Sequence, residues 1–163
     1  MGNGNLRKIK DYFDFEKKKH FEFFLPFYQQ KNWQLVEDNI DSNQKNDWDV
    51  KLEIKAGIYR TIDEKARKKD YNDCLVEIMQ DMETGGLGWF YGKKDWILYG
   101  SWKEETIYPS SLYLISSERL KKYILSIRGI ISTNVAPDGW GITWNIILNW
   151  DNLIRQKIAV RLI

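Results

Sequence analysis

Asn46-Asp47-Trp48-Asp49-Val50 is followed, one short hairpin later, by Thr61-Ile62-Asp63-Glu64-Lys65-Ala66-Arg67. Both stretches are predicted to lie on strands, because apolar and polar residues alternate and a turn separates them. Successive side chains of an extended chain point to opposite faces, so Asp63 and Lys65 project together. If the two strands pair, Asp49 reaches the same side. Two carboxylates and one ammonium group are therefore expected to converge.

A cluster of this kind suits a divalent metal and a phosphate. Mg²⁺ prefers oxygen ligands in an octahedron at roughly 2.0–2.1 Å and usually keeps several waters. A neighbouring lysine can hold the attacking water or offset the charge that develops on phosphorus. The pattern favours metal-dependent phosphate chemistry, with Asp47 as the alternative to Asp49 because both lie on one face of the strand.

The pattern resembles the motif of the PD-(D/E)xK nuclease superfamily, and especially its small Holliday-junction-resolvase-like and phage-type branch. In such proteins an acid follows an apolar residue at the start of a strand, as in Trp48-Asp49-Val50. A (D/E)-x-K triplet then lies near the end of the next strand, as in Asp63-Glu64-Lys65. The similar part runs from the first predicted helix to about Leu125. The chain departs from the commoner pattern by having Asp where Glu usually precedes x-Lys.

The resemblance implies a metal-dependent deoxyribonuclease, an endonuclease or resolvase that hydrolyses phosphodiester bonds. Asp49 and Asp63 would bind Mg²⁺ or Mn²⁺, and Lys65 would be the catalytic lysine. The implied fold is α/β, with a mixed central sheet flanked by helices and a restriction-endonuclease-like αβββαβ core. Residues 1–163 are expected to form a single nuclease-like domain, because no linker composition divides them.

Other acids are candidates for the same site. Glu77 lies in an otherwise apolar predicted strand, where a carboxylate is costly to bury unless it is paired or bound to metal. It is a candidate third ligand, and the alternative is an edge-strand carboxylate that faces water or pairs with Lys65. Resolvase-like nucleases carry a helix glutamate that helps hold a metal or its water. Glu16 and Glu22 are the candidates here, against a solvated helix position for either.

Basic residues near the motif are candidates for DNA contacts. The formal net charge of +2 neither requires nor excludes nucleic acid, so local clusters matter more than the total. Arg67, Lys68 and Lys69 follow the motif directly, and Lys93 and Lys94 end a Gly-bounded aromatic turn. Each cluster is also typical of a solvated turn.

The composition limits the class of protein. A chain of 163 residues with 43% hydrophobic residues is long enough for one buried core. No apolar run approaches the roughly 20 residues that span a bilayer, so we expect a cytoplasmic protein, in a cell or a virus-infected host, without membrane contact. Cys74 is the only cysteine and His20 the only histidine, which argues against cysteine-based zinc sites and His-based catalytic centres. Two-strand cleavage by paired sites would favour a homodimer.

Two other functions remain open at this stage. Acidic-x-Lys triplets occur by chance in a chain this charged, and Glu16-Lys17-Lys18 and Glu53-Ile54-Lys55 are further examples. The main rival is a non-catalytic module on the same scaffold that binds nucleic acid or protein; a structural phage protein is the third candidate.

Periodicity predicts the following elements: helices at Asp11–Gln30, Ser116–Arg128 and from Asp151, and strands at Trp33–Val36, Trp48–Lys55, Ile58–Ala66, Leu75–Asp81, Trp96–Tyr99, Leu112–Ile115 and Gly141–Leu148.

Overall fold

The computed structural model describes residues 11, 14–40, 47–82, 85–103, 106–127, 132–137 and 142–163. Both helices and strands are present, which confirms the predicted mixed α/β class. In chain order the elements are α1 (residues 14–19, a π turn at His20–Phe24, and Leu25–Gln30), β1 (Gln34–Asp38), β2 (Val50–Lys55), β3 (Ile58–Arg67), β4 (Asp73–Asp81), β5 (Gly86–Leu87), a 3₁₀ turn (Trp89–Tyr91), β6 (Trp96–Ser101), β7 (Ser111–Ser116), α2 (Ser117–Ser126), β8 (Ser132–Pro137), β9 (Ile142–Asn149), α3 (Trp150–Arg155) and β10 (Ala159–Arg161).

The strands form two sheets. The larger sheet has six strands in the order β1-β2-β3-β6-β7-β10, and the smaller has four in the order β5-β4-β9-β8. All strand pairs are antiparallel except β3 and β6, which run parallel, so the larger sheet is mixed. The predicted hairpin is present, with Val50 opposite Ile62.

The larger sheet is covered on both faces. Ile62, Ala66 and Leu98 point to one face and pack with the aromatic residues of α1. Ile97 and Tyr99, which alternate with Leu98 along β6, point to the other face and pack with β4, β9, α2 and α3. Strand β3 is therefore sandwiched between two apolar layers, and its polar residues must be satisfied within them.

Helix α1 continues through Pro26, although a proline inside a helix often kinks or ends it. The backbone N–H of Leu25 donates to the carbonyl of His20, which closes the π turn immediately before the proline. Pro26 then lies in the first turn of the following α-helical segment, where its missing N–H costs little. The helix ends at Gln30, and Asn32 follows it with a positive φ of 56°, as is typical just after a helix C-terminus.

The connection between β3 and β6 differs from the predicted αβββαβ order. That order places a helix between the third strand and its parallel neighbour. Here the connection consists of β4, β5 and the 3₁₀ turn, and the described part of residues 68–95 contains no α-helix. Pairing of β4 with β9 draws this segment into the second sheet, which is a long-range effect that local periodicity does not report.

The other predicted elements are confirmed with small shifts in their ends. Helix α2 begins as expected, because the Ser116 side chain accepts a hydrogen bond from the Arg119 N–H at 3.4 Å. Strands β5, β8 and β10 were not predicted. Arg128, Gly129 and Gly141, which were predicted to bound a helix and a strand, lie outside the described residues. Within the described part of the chain, no helix has the length and apolar character to cross a membrane.

Candidate active site

The β2–β3 hairpin brings Asp49 to the Asp63-Glu64-Lys65 triplet. Asp49 immediately precedes β2, and its backbone N–H donates to the Ile62 carbonyl at 2.9 Å. Its side-chain Oδ2 accepts a hydrogen bond from the Glu64 N–H at 2.6 Å. The carboxylate is thereby fixed against the backbone of β3 between the other two charged residues of the motif.

Asp63 is the most enclosed acid of the cluster. It is only 5% exposed, and each of its oxygens contacts an ammonium group. Lys65 Nζ lies 2.8 Å from Oδ1, and Lys94 Nζ lies 2.5 Å from Oδ2. Lys94 also donates to the Trp89 carbonyl at 2.5 Å. Asp63 and Lys65 thus share one face of β3, and Lys94 reaches them from the turn before β6.

The two carboxyl groups have opposite pKa shifts. Burial and the neighbouring charge of Asp63 raise the pKa of Asp49 to about 8, although Lys65 partly opposes this. Burial would also raise the pKa of Asp63, but the charges of Lys65 and Lys94 outweigh burial and lower it. The two shifts make Asp63 the more acidic of the two carboxyl groups and Asp49 the one that takes up a proton more readily.

The two lysines are also unlike each other. Burial lowers the pKa of Lys65, but the charges of Asp63, Glu16 and Asp49 outweigh it and raise the pKa well above its usual range. Burial lowers the pKa of Lys94, and its bond to Asp63 does not fully compensate. Lys65 is therefore the permanently charged donor of the site.

A cleft opens beside Asp49 and Lys65, between α1 and the end of β3. Its volume is about 270 Å³. Glu16 lines this cleft, whereas Glu22 pairs with Lys18 and Lys19 at 3.9 and 3.1 Å. Of the two candidate helix glutamates, Glu16 is the one that lies at the site. The lining residues are Asp14, Glu16, Lys17, Phe24, Ile40, Asp49, Glu64, Lys65 and Ala66.

Asp47 and Glu77 lie outside the cluster. Asp47 is exposed and its backbone approaches Gly92, so the buried position belongs to Asp49. Glu77 lies on β4 of the smaller sheet, opposite Asn145, with its carbonyl against Gly88. Among the described residues, no three acidic, histidine or cysteine side chains are grouped to hold a metal, so Glu77 is not gathered with Asp49 and Asp63.

The candidate DNA-contacting residues fall into two groups. Arg67 pairs with Asp73 and lies over the Tyr71 ring, 4.7 Å from its centroid. Lys94 is buried on Asp63, as described above. The other three, Lys68, Lys69 and Lys93, are exposed. Lys68 donates a hydrogen bond to the Asp11 carbonyl at 2.9 Å.

Two contributors to the site escaped the sequence analysis. Lys94 was assigned to the DNA backbone, and Glu64 was treated as the variable residue of the motif. Glu64 is only 5% exposed and accepts hydrogen bonds on the face opposite Asp63. A buried acid between two charged residues leaves no local signal. The parallel pairing of β3 with β6 is what places Lys94 beside the motif.

The cluster fits one divalent ion that keeps most of its waters. Asp49 and Asp63 supply carboxylate oxygens, and after burial the negative charge of Asp63 is the next cause of the raised pKa of Asp49. A bound cation would remove the repulsion between the two charges. Mg²⁺ is commonly held by only one or two carboxylates together with substrate phosphates, so two protein ligands suffice.

Comparison of the chain with protein-family models, with curated proteins and with solved structures finds no match. The functional argument therefore depends on the residues of the site and on their geometry.

Proposed function

We propose that the chain is a metal-dependent deoxyribonuclease of the PD-(D/E)xK type. Asp49 and Asp63 would hold Mg²⁺ or Mn²⁺, and Lys65 would act at the scissile phosphate. The observation that carries the proposal is the Lys65 ammonium, 2.8 Å from Asp63, together with the Asp49 carboxylate on the backbone N–H of the residue between them, Glu64. A metal-binding acid pair with an adjacent lysine is the set of groups that phosphodiester hydrolysis needs.

The order of the elements supports the proposal. Helix α1 precedes three antiparallel strands, and the third of these, β3, has the parallel strand β6 beside it. A helix, three antiparallel strands and a parallel neighbour of the third strand are also parts of the fold that the resemblance implies. The connection through β4 and β5 departs from that fold, and Asp63 and Lys65 lie on β3, before the departure.

Each residue of the cluster would have its own role in hydrolysis. A metal held by Asp49 and Asp63 would polarise the phosphate and lower the pKa of a water. Asp49 would lose its proton as the metal binds, because the cation replaces the repulsion that raises its pKa. Lys65 stays protonated, so it can donate a hydrogen bond to the attacking water or to a phosphate oxygen. Glu16 keeps a further negative charge next to Lys65.

Exposed cations near the cleft would contact the DNA backbone. Lys69 follows the end of β3, and Lys93 precedes the buried Lys94. Such contacts neutralise phosphates without reading sequence, and they make affinity fall as salt rises.

The test is cleavage of labelled linear, nicked and four-way-junction DNA with Mg²⁺ or Mn²⁺. We expect Asp63→Asn, Asp49→Asn and Lys65→Met each to reduce the rate by about 10² or more, since each removes a group at the reacting phosphate. Asp47→Asn and Lys55→Met are matched controls, because both residues are exposed and outside the cluster, and both variants should cut at the wild-type rate. Cleavage that survives Lys65→Met and Asp63→Asn, or that persists in excess chelator, would contradict the proposal.

The rival function is a DNA-binding module without catalysis. The observation that favours it is that both oxygens of Asp63 are satisfied by lysines, which is also how a purely structural ion cluster would look. This rival predicts salt-dependent DNA binding, no cutting of any of the three substrates, and no effect of metal. Absence of cleavage with binding intact would therefore select it.

A further inference from the structure

Each oxygen of the Asp63 carboxylate contacts a lysine ammonium group. Lys65 contacts Oδ1 at 2.8 Å and Lys94 contacts Oδ2 at 2.5 Å. A divalent cation on this carboxylate would compete with the two ammonium groups for the same oxygens, because like charges repel at such short range. The geometry of the two lysines indicates which one gives way.

Lys65 and Lys94 reach Asp63 from different parts of the chain. Lys65 lies on β3 itself, two positions from Asp63, so its side chain stays on the same face as long as the strand stays paired. Lys94 lies in the turn that precedes β6. Its ammonium is held by Asp63 and the Trp89 carbonyl, and it lies 5.3 Å from the centre of the Trp89 ring. Lys94 is outside the paired strands, so a change in its side-chain conformation breaks no strand pairing.

Lys94 is also the more deeply enclosed of the two. Its side chain is 2% exposed, against 22% for Lys65. A buried carboxylate without a partner is strongly unfavourable, and a buried ammonium that bonds it offsets that cost. Lys94 thus supplies the positive charge that the acid pair would otherwise obtain from a metal.

We propose that Lys94 is a built-in cation that occupies the metal position on Asp63 and is displaced when a divalent metal binds. This inference rests on the proposed metal site at Asp49 and Asp63. It makes Lys94 a determinant of metal affinity, which the protein lowers by supplying its own competing charge. The site stays charge-balanced without metal and becomes metal-loaded only when the ion outcompetes Lys94.

The first experiment measures Mn²⁺ binding to the full chain by isothermal titration calorimetry. Lys94→Met keeps the apolar stem and removes the competing charge, so we expect Mn²⁺ to bind about tenfold tighter or more. Lys93→Met is the matched control, because Lys93 is the exposed neighbour and its loss should leave the affinity within about twofold. Unchanged or weaker binding by a folded Lys94→Met protein would overturn the inference.

A second measurement uses the wild-type protein and so does not depend on how a variant folds. Lysine-directed acetylation, read by mass spectrometry, should label Lys94 slowly without metal and several-fold faster with saturating Mn²⁺. Lys93 serves as the internal reference. Equal protection of Lys94 with and without Mn²⁺ would overturn the inference.

Failure of the proposed function gives a different result. If neither the wild type nor Lys94→Met binds Mn²⁺, the metal site itself is absent and both proposals fall. The same holds if Mn²⁺ binds but Asp63→Asn does not weaken the binding. If Mn²⁺ binds, Asp63→Asn abolishes binding and Lys94→Met leaves it unchanged, only the role of Lys94 is refuted.

Discussion

Nδ1 of His20 lies 2.8 Å from Oε2 of Glu64, the residue between Asp63 and Lys65. The other ring nitrogen of His20 lies 3.1 Å from an oxygen of Asp38, and the Tyr28 hydroxyl donates to Glu64 Oε1 at 2.7 Å. Both Glu64 oxygens are thus held by α1 on the face opposite Asp63. Helix α1 and strand β3 are thus joined at Glu64, whose backbone N–H donates to Asp49.

We predict that His20 titrates about one and a half pH units above an ordinary histidine. Burial lowers the pKa of His20, but its bonds to Glu64 and Asp38 outweigh burial and raise the pKa from 6.5 to about 8. Because the chain has a single histidine, its imidazole gives one set of NMR signals that can be followed across pH. Glu64→Gln should shift the midpoint downward. A wild-type midpoint at 6.5 or below would contradict the buried ion pair.

The same bond should make stability depend on pH. The folded-state pKa of about 8 exceeds the unfolded value of 6.5, so the native state binds the proton more tightly. The resulting stabilisation is fully present below about pH 6.5 and is lost as the pH rises through 8. The shift corresponds to about 2 kcal/mol. The free energy by which His20→Gln destabilises the protein in urea should therefore be about 2 kcal/mol larger at pH 6 than at pH 9.

Lys18→Gln is the control for this pH dependence. Lys18 lies on the same helix with its side chain 49% exposed, so its effect should be small and nearly the same at both pH values. A pH-independent difference between wild type and His20→Gln would show that the imidazole is not protonated in the native state.

Local sequence rules predicted the parts of the site that lie on neighbouring strands. The period of two along β3 places Asp63 and Lys65 together, and the hairpin register brings Asp49 to them. The same rules missed two contacts between residues far apart in the sequence. Lys94 bonds Asp63, 31 positions away, and His20 bonds Glu64, 44 positions away. Such contacts depend on sheet order, and a single sequence does not specify it.

The fold shows the same limit. Alternation identified β2, β3 and β6, because these strands are long enough to show which face is buried. Strand β10 has three residues and β5 has two, which is too few for a periodic signal. The division into two sheets was missed because β4 pairs with β9, far along the chain, and not with the strand before it.

The free energy by which Asp49→Asn stabilises the folded protein should increase with pH. The pKa of Asp49 is about 8 in the folded state against 3.8 in the unfolded state, so the native state holds a proton that the unfolded state has lost. Stability therefore falls between about pH 4 and pH 8 on account of this group. Asparagine keeps an oxygen for the Glu64 N–H and carries no charge, so we expect a gain of a few kcal/mol at pH 8.5, of the order implied by the shift, and little gain at pH 4.

Urea unfolding at the two pH values measures this effect. Asp47→Asn is the matched control, because Asp47 is exposed two residues away, and its effect should stay within about 0.5 kcal/mol. If Asp49→Asn destabilises the protein at pH 8.5, the Asp49 carboxyl is not strained by burial and by Asp63. A stabilised variant that has also lost the proposed activity would show that the acid pair is maintained for function.

Gly88→Ala should destabilise the protein through a single close approach. A Cβ atom at Gly88 would overlap the carbonyl oxygen of Glu77 and lie 2.8 Å from its Cγ. The φ of Gly88 is −76°, which any residue adopts, so the cost is steric and not conformational. We expect a loss of about 1–3 kcal/mol in urea unfolding.

Gly92→Ala is the control at the other end of the same turn. Its Cβ would meet Lys94 Nζ at 3.0 Å and Asp47 at 3.2 Å, which is less crowded than at Gly88, so the loss should be smaller. Gly88→Ala has a second consequence, because displacing Trp89 moves the carbonyl that holds Lys94. If contact with β4 fixes the 3₁₀ turn at Trp89–Tyr91, Gly88→Ala should also increase the rate at which Lys94 is acetylated without metal. An unchanged unfolding midpoint and unchanged labelling would show that β4 does not fix this turn.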